Sequence, residues 1–172
     1  MADYYTPTVV DPVIPVDAIL PIERMFLSQV FDEEVENGIA YYCSEDGVRD
    51  LIFLNPGEVR EALESTDHAS SRLVAKLRED CPDEIAGEDE FEFDLCGDYW
   101  EDVLQDIVRR APDLDHLTVT MAFTCSKMRP DGFGGLAMLV TADTIRSDST
   151  NTLFDRFYTE AYAAGEIRHG DS

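Results

Sequence analysis

The stretch CSKMRPDGFGG, Cys125 to Gly135, gathers the chain's most reactive combination of side chains: a thiol, two cations two residues apart, a carboxylate and three glycines. Cations beside a thiol lower its pKa and make it a nucleophile. The backbone amides of a glycine-rich turn, with Lys127 and Arg129, can also hold an anion. Cys125 has no evident base, because His116 stands nine residues back on the same extended segment, about 30 Å away. A second group of residues is purely acidic. Glu88, Glu90, Glu92, Asp94, Glu101 and Asp102 belong to the run Glu79–Asp102, which holds twelve acids and no base. On a strand, Glu90, Glu92 and Asp94 project from one face about 6.7 Å apart, a spacing that matches alternate phosphates at ~3.4 Å per nucleotide.

Each group also has a purely structural reading. Arg129-Pro130-Asp131-Gly132 is a good type I turn, with proline at its first central position and glycine leaving it. Asp131 and Gly132 then serve only the turn, and Cys125 is a buried thiol. A connection of about ten residues is nevertheless long for a hairpin. The acidic ladder can equally be a solvent-facing strand whose charge prevents edge pairing. Both readings of each group stay open at this level.

Other chemistry is not encoded in recognisable form. No GxSxG, GxGxxG after a strand, Walker loop or HExxH occurs, so no catalytic residue and no cofactor is expected. His68, His116 and His169 have no metal-ligand spacing with Cys43, Cys81, Cys96 or Cys125, so no metal site is expected.

The elements that must position these groups follow from periodicity. DYWEDVLQDIVRR (98–110) is the clearest helix: Trp100, Val103, Leu104, Ile107 and Val108 fall on one face, and Asp98 caps it. Pro21 opens a helix through IERMFLSQVFDEE that Gly38 ends, and Asn55-Pro56-Gly57-Glu58 starts another over 56–64. Further helices are predicted at 68–79 and 150–163, the last packing Leu153, Phe154, Phe157, Tyr158 and Tyr162. Strands are predicted at 39–44 and 49–54, joined as a hairpin by Asp46-Gly47, and at 89–95, 116–124 and 135–141. The expected class is α+β: one domain, a largely antiparallel sheet of about five strands, and four to five helices. Residues 1–20, with prolines among β-branched residues, read as an extended arm before a domain at 21–165 and a frayed tail at 166–172.

Composition restricts the partners. The 172 residues carry 37 acids against 13 Lys and Arg, a net charge of -24, which disfavours direct binding of nucleic acid or an anionic membrane surface. No apolar run approaches a membrane span. MADYYTPTVVDPVIP lacks the basic and apolar regions of a secretory signal, and the scattered cysteines read as reduced thiols, so a cytoplasmic location is expected. The favoured partner is a basic protein surface. The oligomeric state is open, and residues 4–16 of the arm could support a homodimer by adding to a neighbour's sheet edge.

LQDIVRR (104–110), FTCSKMRPDGFGG (123–135), TADTI (141–145) and the N-terminal DYYTPTVV together resemble a family of small acidic bacterial proteins of uncharacterised function, associated with plasmids and other mobile elements. The resemblance spans most of the chain and is densest at 98–145. It supplies no catalytic residues. It implies a setting in which acidic proteins block host DNA-binding defences. The expected function is therefore a non-enzymatic acidic interaction protein, with imitation of DNA as its sharpest form. The alternative is a small enzyme or anion-binding domain with its site at loop 125–135.

Overall fold

A computed structural model describes residues 2–64, 70–94 and 99–167, with the side chains of Asp94 and Pro130 outside that description. His68, Cys96, Asp98 and His169 lie outside the described residues, as do the expectations placed on them.

The chain enters as three short strands, β1 (Tyr4–Tyr5), β2 (Thr8–Asp11) and β3 (Ile14–Pro15). Thr8, Val10 and Ile14 are buried, so this segment belongs to the core. That corrects the expectation of a separate arm. β2 lies between two neighbours of its own chain, and both of its edges are occupied. Thr8 and Val9 are paired on both sides, and Val10 and Asp11 pair with β8.

Helix α1 (Pro21–Val30) begins with proline at its first position and buries Ile22, Phe26, Leu27 and Val30. It stops at Val30, four residues before the end of the predicted stretch at Glu34. Asp32–Glu36 form strand β4, which turns at Asn37-Gly38 into β5 (Ile39–Ser44). Both turn residues have positive φ, 52° and 81°. That is the two-residue turn whose twist suits a hairpin. Arg49 helps end the helix: its guanidinium donates to the carbonyls of Gln29 and Phe31 at 3.0 and 3.1 Å.

The predicted hairpin at Asp46-Gly47 does not form. Ser44 closes that turn locally, its hydroxyl accepting from the Gly47 amide at 3.1 Å. The chain then leaves for β6 (Leu51–Leu54), which pairs with β7 (Phe91–Asp94) in a separate two-stranded ribbon. Between them run α2 (Pro56–Glu64), α3 (Arg72–Asp80) and α4 (Pro82–Ala86). Asn55 caps α2, its Oδ1 accepting from the Gly57 amide at 2.8 Å and the Glu58 amide at 3.2 Å.

Helix α5 (Tyr99–Arg110) is the centre of the core. Its predicted apolar face, Trp100 to Val108, is buried as expected, and each such side chain contributes about 1.5–3 kcal/mol on leaving water. Trp100 meets Phe31 edge-on at 5.5 Å. Strands β8 (His116–Cys125), β9 (Gly134–Thr141) and β10 (Ile145–Ser149) follow, then α6 (Thr150–Ala164). In the main sheet β10, β9, β8, β2 and β5 lie side by side. β1 pairs with β8 beyond β2, and β3 continues along β5. Ala40 pairs with both Ile14 and Val35, which places β4 on the opposite edge of β5.

The result is a single α+β domain with an antiparallel sheet, as predicted, but with more strands. Among the described residues no helix is long and apolar enough to cross a membrane.

Candidate functional site

Strand β7 alternates as its sequence requires. Phe91 and Phe93 point inward with Ile52 and Leu54 of β6, and Phe93 meets Phe26 edge-on at 6.1 Å. Glu92 therefore points to solvent. The tertiary structure adds what stands beside it: Glu92 is registered opposite Phe53, and Asp94 opposite Leu51. Phe53 and Leu51 are 58% and 50% exposed. The outer face of the ribbon thus combines the Glu92 carboxylate with two apolar side chains, which the sequence reading missed. LIFL is apolar throughout and gives no sign of which residues face out.

Glu88, Asp89 and Glu90 lie exposed on the segment leading into β7, and Asp83 and Glu84 are exposed on α4. Arg60 of α2 holds this region, donating to the carbonyls of Ile85 and Gly87, the latter at 2.9 Å. One cation thus fixes the acid-bearing turn through its backbone oxygens. Among the described residues, Asp83, Glu84, Glu88, Asp89, Glu90 and Glu92 take part in no ion pair.

Asp102 does not belong to this surface. It accepts from Arg72 Nη1 at 2.6 Å, while the same guanidinium donates Nε to buried Asp106 at 3.0 Å. The Arg72 amide also donates to Asp106 at 2.8 Å, and Arg109 reaches it at 3.2 Å. These carboxylates join α3 to α5 and are structural. Glu101 is half-buried in the first turn of α5.

The loop after β8 is explained by strand pairing. β8 and β9 pair as far as Phe123–Gly134, but β8 runs on to place Thr124 and Cys125 opposite Tyr5 and Tyr4 of β1. The chain must then return to β9, and that overhang accounts for the loop's length. Ser126 fastens it, exchanging hydrogen bonds with Asp3 at 2.9 Å each. Arg129 is neutralised within the loop, donating Nε and Nη2 to Asp131 at 3.1 and 3.0 Å. The pairing holds Asp131 below the usual carboxylate range and raises Arg129. Gly132 packs directly on Cys125: a Cβ there would sit 2.5 Å from that residue's Cβ.

Beside the loop lies a cleft of about 450 Å³, lined chiefly by Tyr4, Tyr5, Phe123, Phe133, Asp131 and Asn151. Lys127, Arg129 and Cys125 do not line it, so the loop's cations do not converge on an enclosed anion site. The lining holds no nucleophile with a base. Elsewhere burial, and after it neighbouring carboxylates, push the thiols of Cys43 and Cys81 upward, which makes them poor nucleophiles.

Comparison with protein-family models, curated proteins and solved structures gives no match.

Proposed function

We propose that this protein acts by occupying a basic surface of another protein, using the outer face of the β6–β7 ribbon and the acidic turn that precedes it. The observation that carries this reading is the cluster of exposed carboxylates from Asp83 to Glu92, outside any ion pair among the described residues, beside exposed Leu51 and Phe53. Unneutralised carboxylates steer a cationic partner and set its orientation. Apolar side chains at the centre of a charged patch supply the desolvated contacts that carry affinity. The partner face that fits is cationic around an apolar pocket. We further propose, as the sequence resemblance of residues 98–145 implies, that the basic surface is the DNA-binding face of a host protein.

Affinity capture from bacterial lysate tests this, with the wild-type chain beside Glu88→Gln/Glu90→Gln/Glu92→Gln and beside Phe53→Ser. Basic proteins should bind the wild type, leave as salt rises, be displaced by duplex DNA, and be lost from both variants. Retention of the same proteins by the triple variant at the same salt overturns the proposal. Failure of DNA to compete overturns the DNA-binding face alone.

A further inference from the structure

Helix α6 has no buried residue along its fifteen positions. An isolated helix of that length is marginal in water. It is attached through its first turn, where Ser149 accepts from the Thr152 amide at 3.1 Å and Thr150 Oγ1 accepts from the Gly135 amide at 3.2 Å. Beyond that turn it exposes Phe154, Phe157 and Tyr158, which corrects the expectation that they pack into the core.

The stripe continues into the loop cleft. Asn151 lines that cleft, and Phe154, Tyr158 and Tyr162 follow it at helical spacing on the same face. Tyr4 and Phe133 at the cleft are, with Phe154, Phe157 and Tyr158, 45 to 57% exposed, while Tyr5, next on the strand, points to the other face of the sheet. Aromatic side chains each offer 150–250 Å², so these five leave on the order of 500 Å² of apolar surface uncovered. The largest apolar patch of a monomer is of about that size and is often functional.

We infer that this patch is the interface of a homodimer in which two α6 helices pair antiparallel about a two-fold axis at Tyr158. Three observations select a second copy. Doubling the patch gives roughly 1,000 Å², the size a specific interface must clear. The stripe is self-complementary: an axis at Tyr158 sets Phe154 against the partner's Tyr162, and Asn151 against the partner's Gly165. The partner's last turn then arrives over the cleft that Asn151 lines, so the same contact covers helix and cleft. Finally, α6 holds only Asp155, Arg156 and Glu160 as charges. It is therefore a face on which two chains of net charge -24 can meet with little local repulsion.

Sedimentation velocity on the full chain across concentration and salt provides the test, with disulfide trapping beside it. The wild type should shift from monomer to dimer with concentration, and the dimer should tighten as salt screens the repulsion between chains. This is opposite in sign to the salt response proposed for the acidic ribbon, so the two surfaces are distinguishable. Phe154→Ser with Tyr158→Ser should weaken the dimer by about 30-fold or more, with the near-ultraviolet signature of Trp100 unchanged. Under mild oxidation Tyr158→Cys should form a covalent dimer above the wild-type baseline, whereas Glu160→Cys, on the opposite side of the helix, should not. A concentration-independent monomer, a dimer indifferent to the double substitution, or equal trapping at both positions overturns the inference.

Discussion

Arg110 and Glu23 stand 87 residues apart in the chain, yet they form an ion pair in which the carboxylate is completely buried. Arg110 Nη1 donates to Glu23 Oε1 at 3.1 Å, and Nη2 donates to Oε2 and to the Ala18 carbonyl. Glu23 in turn accepts from the Leu20 amide at 3.1 Å. The last turn of α5 is thereby fixed to the first turn of α1.

Arg110→Met leaves a buried carboxylate without its countercharge, which costs about 3–5 kcal/mol. Equilibrium urea unfolding should show that loss as a lower midpoint. The double variant Arg110→Met/Glu23→Leu should recover much of it, because no buried charge remains. A single variant as stable as the wild type would show that the pair is not closed in solution.

Tyr42 and Glu33 give a pH-dependent prediction. The buried Tyr42 hydroxyl donates to Glu33 Oε1 at 2.8 Å, and Arg24 donates to both oxygens at 2.9 and 3.0 Å. Burial pushes Glu33 upward, but the hydrogen bonds from Arg24 and Tyr42 outweigh it and leave the group below its ordinary value. A carboxylate depressed in the folded state stabilises it above the unfolded pKa, and that contribution is lost as pH falls through the folded value. Tyr42→Phe should therefore cost about 1.5–3 kcal/mol at pH 7. Unfolding midpoints taken from pH 7 to pH 3 should converge on the acid side. A constant gap would remove Glu33 from the account.

Gly132 and Cys125 give a steric prediction. Gly132→Ala forces a Cβ to 2.5 Å from the Cβ of Cys125, and overpacking of that kind costs about 1–3 kcal/mol. Cys125→Gly in the same chain removes the opposing atom and should restore part of the thermal midpoint. A Gly132→Ala protein that melts with the wild type would mean that the loop is not seated on β8.

The parts of the fold legible in the sequence are those set by local spacing. Trp100, Val103, Leu104, Ile107 and Val108 repeat at the helical period, and their helix is the buried centre. Phe91 and Phe93 alternate with acids, and their strand is half-buried as read. The Arg129–Gly132 turn was also legible, although Asp131 proved to be the partner of Arg129. Asn37-Gly38 was legible in principle, since that dipeptide is a strong hairpin signal. The apolar and acidic residues before it continue the helical pattern of α1 far enough to hide it.

Local spacing determines which side of an element is apolar, because that depends only on the repeat of the backbone. It does not determine what lies against that side. The stripe of α6 has the same periodicity as the stripe of α5, yet one is exposed and the other is the core. Likewise the acids of 79–102 are alike in sequence, but Asp102 is bound by Arg72 while Glu88, Glu90 and Glu92 face solvent. The sequence by itself determined the α+β class, the central helix and the acidic run. Tertiary structure alone decided which charges are neutralised and which aromatic face is left uncovered, because both depend on residues brought together from distant parts of the chain.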